Sequence, residues 1–186
     1  DRHKPGDDPG MDRNAWLEYQ WDTALEFCSM IMQAHKYSGM DIAEYEPLIR
    51  QTLIFFDEHY QYIAKKLGVK PLNADGKLML YPSSGCETYK MAYNPSSVVA
   101  ALQTVARQWT EYNGDSLNGI MKRIPEIPLH TISGDTCIAP AIVWARIQNI
   151  ETPQLYPVFP WRIYCMGRDN LNIGRNTYPV SYTHLR

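Results

Sequence analysis

Glu87 is the single carboxylate in the stretch LYPSSGCETYKMAYNP, which runs from Leu80 to Pro95 among small residues, prolines, tyrosines and an asparagine. An acid in that setting is either an ordinary loop carboxylate or a proton donor held by its loop. A donor must stay protonated near neutral pH, and enclosure by Tyr81, Tyr89 and a proline favours the neutral form. Downstream, Gln148, Asn149 and Glu151 precede Leu155-Tyr156-Pro157 and could hold a water or a sugar hydroxyl. Cleaving a glycosidic bond with inversion uses a second carboxylate about 6.5–9.5 Å from the acid, with a water between them. Glu151 is the first candidate for that partner and Glu126, in IPEIP, the second. The plain alternative for Glu151 is an ion pair at a helix terminus. Arg162 beside Trp161 could bind a sugar or an acidic substituent, or pin two loops together.

Other arrangements carry less chemistry. Cys86 could act as a thiol nucleophile with His130 as its base, although a buried cysteine is usually an inert small hydrophobe. Asp57-Glu58-His59 lacks H-E-x-x-H spacing and reads as a solvated helix face. Cys28, Cys86, Cys137 and Cys165 are widely spaced, without C-x-x-C or a histidine pair, so no metal is implied. No cofactor motif is present either.

Bulk properties narrow the class. The 186 residues suit one domain or a piece of a larger one, and 45% hydrophobic residues suffice for a core. A net charge of −2 without a basic run argues against nucleic acid as a partner. No apolar run reaches the roughly 20 residues that span a bilayer. Tyr and Trp number 13 and 5 against 4 Phe, so most rings pair an apolar face with a polar tip, a combination suited to sugars.

The elements that must position these residues are mostly helical. DRHKPGDDPGMDR, over 1–13, reads as a loop. Leu17, Trp21, Leu25, Cys28 and Met32 recur at helical spacing and predict a helix over Asn14–Tyr37, closed by Gly39. A second is expected over Glu46–Leu67 with Leu48, Thr52, Phe55, Phe56, Tyr60, Ile63 and Leu67 on its stripe and Pro47 in its first turn. Asp41 and Glu44 at capping-box spacing predict a short turn ahead of it. Asp75-Gly76 between apolar runs predicts a small β-hairpin near 70–81. Asn94-Pro95 reads as a cap and first turn for a helix to about Tyr112. Shorter helices are expected over Ser116–Arg123, Ala141–Ile147 and Leu171–Tyr178, with a proline-rich connection over 124–140 and a broken helix in LYPVFPWRIY.

Four stretches, AWLEYQWDTALEF, YEPLIRQTLIFFDEHY, DGKLMLYPSSGCETY and RIQNIETPQLYPVFPWRIYCMG, carry a resemblance. Together they resemble the catalytic domain of glycoside hydrolase family 95, and more closely a related uncharacterised bacterial branch. The resemblance implies an all-α fold, an (α/α)6 toroid of helical hairpins, present in part over 14–179. It implies an inverting, α-L-fucosidase-like hydrolase with an oligosaccharide or polysaccharide substrate at the mouth of the toroid. Pro82, Ser83, Ser84, Gly85, Cys86 and Glu87 match that family's P-S-x-S-P-E loop, which makes Glu87 the general acid. Its histidine-rich segment before L-Y-P is replaced here by Arg146, Gln148, Asn149 and Glu151. On this reading Glu87, Glu151 and Asn149 are catalytic, while Trp16, Trp21, Tyr89, Gln148, Trp161 and Arg162 bind substrate. A lyase is the second enzyme class, because such toroids also eliminate uronates with sets like Asn149, Tyr156, His130 and Arg162. A carbohydrate-binding relative without chemistry is the non-enzyme alternative.

The ends complete the expectations. VSYTHLR, over 180–186, resembles a translated adaptor tail, and Asp1 opens the chain without a methionine. The reading is therefore of a fragment that lacks N- and C-terminal parts and is inactive alone. The family habit places it outside the cytoplasm.

Overall fold

The computed structural model describes residues 19–183. Trp16, the loop over 1–13 and His184 lie outside the described residues.

Three long helices follow the periodic segments: α1 (Thr23–Ser38), α2 (Glu46–Lys66) and α3 (Ser96–Asn113). Gly39 ends α1 in the left-handed conformation at φ 69°, where it donates its N–H to the His35 carbonyl. The turn before α2 is a short 3-10 segment, with Asp41 Oδ1 accepting from the Ala43 N–H at 3.0 Å. Leu25, Cys28 and Met32 of α1 and Ile49, Leu53, Phe56 and Tyr60 of α2 pack with Val98, Leu102, Val105 and Trp109 of α3. Thr52, Phe56 and Tyr60 of the expected α2 stripe are buried, together with Ile49, Leu53 and Ala64, while Leu48, Phe55 and Leu67 are exposed. Nearly every side chain from Ser96 to Ala106 is buried, because α3 is covered on several sides at once. Its first residues are small, and small residues let neighbouring backbone approach: the Pro140 carbonyl accepts from both the N–H and the Oγ of Ser96.

Between α2 and α3 lie two strands, β1 (Ser83–Gly85) and β2 (Tyr89–Ala92), and the three residues 86–88 turn one into the other. Further along come the short helix α4 (Ile120–Arg123), a hairpin of β3 (Leu129–Ile132) and β4 (Asp135–Ile138), the strand β5 (Arg146–Ile147) and α5 (Leu171–Thr183). β5 adds antiparallel to β2, giving the order β1-β2-β5, and β3–β4 makes a separate two-stranded sheet. The hairpin packs on α5, where Thr177 Oγ1 accepts from the Ile138 N–H at 2.8 Å. At Gly174 a Cβ would stand 2.7 Å from the Tyr164 carbonyl oxygen, so only glycine lets α5 meet the loop beside it.

The expected all-α (α/α)6 toroid is corrected: the described chain is a mixed α/β domain with two small antiparallel sheets. The reason is visible after Gly114. Pro125, Pro128, Pro140, Pro153, Pro157 and Pro160 each remove a backbone donor that a helix interior would need, so hairpins of long helices cannot continue. The helix expected over Ala141–Ile147 is instead extended, and ends in β5. The hairpin expected near 70–81 shrinks to one bridge between Leu72 and Leu78, with Asn73 Oδ1 accepting from the Asp75 and Lys77 N–H groups. α1 starts at Thr23. α5 runs without a break across Pro179 into Ser181, whose buried Oγ donates to the Thr177 carbonyl at 2.7 Å.

Asn94 does not cap α3, whose N-cap is Pro95. Its buried side chain instead imitates a strand neighbour: Oδ1 accepts from the Leu80 N–H at 2.8 Å, while its own N–H donates to the Leu80 carbonyl at 3.2 Å. Its φ of 50° is left-handed, a conformation that asparagine tolerates better than alanine. Asn94→Ala strands a buried N–H and strains the backbone together, so it should cost about 2–4 kcal/mol. Asn94→Gly, free of the strain, should recover about 1 kcal/mol of that loss in urea unfolding.

Candidate functional site

The turn between β1 and β2 carries Glu87, and β5 carries the segment expected to face it. Tyr89 pairs with Ile147 and Lys90 with Arg146 in the antiparallel register. The pairing continues past the strands, since the Gln148 N–H donates to the Thr88 carbonyl at 3.0 Å. One step further, Asn149 Nδ2 donates to Glu87 Oε2 at 3.2 Å. Residues directly opposite in an antiparallel pair share a face, and faces alternate along each strand. Glu87 and Asn149 therefore extend the face that carries Tyr89 and Ile147.

That face borders a cavity of about 160 Å³ between β2, the β3–β4 hairpin and α5. Tyr89, Trp144, Ile147, His130, Pro140 and Gln154 are among its walls. The Tyr89 and Trp144 rings meet edge to face with centroids 5.0 Å apart. Gln154 is buried, and its Oε1 has no hydrogen-bond partner among the described residues. Glu87 is half-buried and is not among the residues that line this cavity.

Beneath the turn is a group of buried polar side chains that the sequence did not announce. Lys90 has no exposed surface. Its Nζ donates to Ser84 Oγ at 2.8 Å and to the Cys86 carbonyl at 3.3 Å. Tyr60 of α2 donates its hydroxyl to Ser83 Oγ at 3.1 Å, tying β1 to the helices. Asp22, immediately before α1, is also buried, and its Oδ1 has no hydrogen-bond partner among the described residues. Burial raises the Asp22 carboxyl from 3.8 to about 6, with the charges of Glu26 and Glu151 adding to the rise and Lys90 opposing it. Burial likewise drives the Cys86 thiol far up, assisted by the charges of Asp22 and Glu151. Burial raises the Tyr156 hydroxyl in the same direction, with Cys86, Glu151 and Glu26 contributing.

The expected site residues divide. Glu87, Asn149, Gln148 and Tyr89 come together along β2 and β5. Glu151 is exposed, yet near enough to Asp22, Cys86 and Tyr156 for its charge to act on all three. Glu126 is elsewhere, exposed and 3.7 Å from Lys77 Nζ. Trp21 is committed to an aromatic cluster with Phe55, His59 and Tyr60. Trp161 is buried in the main core, its carbonyl accepting from Thr104 Oγ1, and so cannot wall a substrate mouth. Arg162 is exposed with φ 53°, and its carbonyl accepts from Cys165 Sγ at 3.4 Å in a loop apart from Glu87. Tyr81 lines a different groove, with Met79, Tyr93 and Val143, so it does not enclose Glu87 together with Tyr89. His130 stands opposite Cys137 on the β3–β4 hairpin and faces the Tyr89 cavity, while Cys86 is buried in the β1–β2 turn and does not line that cavity. Asp57 is not a solvated acid, since Arg123 grips both its oxygens at 2.8 Å, and the His59 ring stacks on Phe55.

Among the described residues no cluster of histidine, cysteine, aspartate or glutamate could hold a metal ion, and no helix is long and apolar enough to cross a membrane. No family model, curated protein or solved structure matches the chain.

Asp22 makes stability depend on pH in a specific direction. The folded state binds its proton more tightly than the unfolded chain, so stability falls as pH rises from about 4 to about 6 and this contribution is then flat. Asp22→Asn should remove that slope. It should match the parent near pH 4 and exceed it above pH 6 by roughly 1–3 kcal/mol in denaturant titrations. Identical slopes in the two proteins would remove Asp22 as the cause.

Proposed function

We propose that the chain is part of a bacterial glycoside hydrolase, with Glu87 as its proton donor and the aromatic cavity beside Tyr89 as a sugar-binding surface. The observation that carries this reading is the contact between Glu87 Oε2 and Asn149 Nδ2. It joins two sequence segments 62 positions apart on one sheet face, next to Tyr89 and Trp144. The departing sugar oxygen needs a proton as the glycosidic bond breaks, and a half-buried carboxyl on a turn can deliver one. The Asn149 amide fixes the orientation of that carboxyl. Glu151, beyond Asn149 and open to solvent, is the proposed base that draws a proton from the attacking water. No cofactor takes part. The resemblance supports the hydrolase class, inversion and a place outside the cytoplasm. It also supports flanking segments of the same protein that complete the site.

A second reading has its own observation. No carboxylate is among the residues that line the Tyr89–Trp144 cavity, as expected of a surface that binds a sugar without cleaving it.

Glycan hydrolysis by the chain joined to its flanking segments tests both. Glu87→Gln should lower kcat by about 10²–10⁴-fold while leaving KM within a small factor. Trp144→Ala should weaken sugar binding in titration calorimetry by about 1–3 kcal/mol. Equal turnover by the parent and the Glu87→Gln variant excludes Glu87 as the donor. Binding abolished by Trp144→Ala with no turnover in either protein supports the second reading.

A further inference from the structure

We propose that Lys90 is a positioning residue for Glu87: its ammonium, sealed beneath the β1–β2 turn, sets the orientation of the peptide that leads into the glutamate. This rests on the reading of Glu87 as the reactive carboxyl, and it adds how that carboxyl is aimed.

Lysine is almost never fully buried unless it is paired, because removing an ammonium from water costs several kcal/mol. Here the whole side chain is covered. A methionine would fill a similar space without that cost, so what the ammonium adds is its hydrogen bonds. Two of them go to the turn itself, one to Ser84 Oγ at 2.8 Å and one to the Cys86 carbonyl at 3.3 Å. Ser84 Oγ in turn donates to the same Cys86 carbonyl at 2.5 Å. That oxygen is therefore gripped twice, from below and from the side. The peptide it belongs to is the one joining Cys86 to Glu87, so holding its carbonyl inward fixes the direction in which Glu87 leaves the turn.

The backbone needs such a hold. Cys86 has φ 51°, a left-handed conformation that costs a residue with a Cβ about 1–2 kcal/mol and persists only where surroundings enforce it. Asp22, buried just before α1, feels the charge of the ammonium, which opposes the rise that burial causes in its titration. Glu151 and Glu26 are the other charged groups acting on that carboxyl. The hydroxyl of Tyr60, fixed on Ser83, closes the same region from α2. The turn is thus positioned from α1, α2 and β2 together, and Lys90 is the member that touches it with charge.

The test uses the full chain with its flanking segments and two variants, Lys90→Met and Ser84→Ala. Amide hydrogen exchange is followed at Thr88 and Gln148, whose N–H groups hold the turn to Gly85 and to β5, against Val99 and Val105 in α3. In Lys90→Met, exchange at Thr88 and Gln148 should accelerate by about tenfold or more while the α3 amides keep their rates. Glycan turnover should fall by about 10²-fold with KM little changed, because the acid is misaimed while the sugar surface is intact. Ser84→Ala should produce the same pattern more weakly. If Lys90→Met does not fold, the pattern in Ser84→Ala decides. Unchanged exchange at both amides in a folded variant overturns the proposal. Faster exchange with equal losses in kcat/KM through KM alone also overturns it, since that is a damaged binding surface. If Glu87→Gln leaves turnover intact, the reading of Glu87 as the proton donor fails by itself, and the exchange result still judges the hold of Lys90 on the turn.

Discussion

Burying an ammonium is among the most expensive things a small domain can do, and the region around residue 90 is organised by that expense. Lys90 enters the interior on the central strand of a three-stranded sheet, so its charge must be met from both sides. Below β2 the meeting groups are Ser84 Oγ and the Cys86 carbonyl, and toward α1 it is the Asp22 carboxylate. Turning the Cys86 carbonyl inward fixes the tight turn that bears Glu87. The helices meet the same sheet through Tyr60 of α2, which donates to Ser83 Oγ of β1.

Register then carries that order outward. Because β5 pairs with β2 at Tyr89–Ile147, the following residues are obliged to approach as Thr88–Gln148 and Glu87–Asn149. A slip of one residue would move Asn149 to the other face and set Gln148 opposite Glu87. Strand pairing, rather than a helix terminus, is thus what unites the two polar segments. Trp144 reaches Tyr89 by the same route, since the bridge between Tyr93 and Val143 and the bond from Ala145 N–H to the Lys90 carbonyl lay 142–148 alongside β2.

The helices were legible where a side-chain pattern of period 3.6 met a clear stop, as at Gly39 and Asn113-Gly114. They were illegible where apolar residues simply ran together. Ala141–Ile147 looked helical because six of its seven residues are apolar and the seventh, Arg146, is a good helix former, whereas extension of a sheet edge decided its conformation. The β3–β4 hairpin did leave a signal, since Ser133-Gly134 separates LHTI from DTCI. Both turn residues take positive φ there, as a two-residue hairpin requires, but the surrounding prolines masked it. At the site, Glu87 and Asn149 could be read as chemically apt types, and the structure brings them into contact. Trp21 and Trp161 were assigned by type alone, and packing took both elsewhere. Lys90 and Asp22 were invisible because a charged residue in sequence reads as surface, and only three-dimensional packing reveals that these two are not.

Asp22 and Glu151, whose charges both act on the Cys86 thiol, have opposite environments. Asp22 is buried, with a titration pulled up to about 6, whereas Glu151 is exposed to water. Asp22 cannot itself reach a glycan, since almost none of its surface is open. Its proton can instead change the field felt by Lys90. When Asp22 is ionised, its charge and that of the ammonium attract each other, which opposes the rise that burial causes in the Asp22 titration. The hydrogen bonds from Lys90 to Ser84 Oγ and the Cys86 carbonyl, rather than that attraction, are what hold the turn.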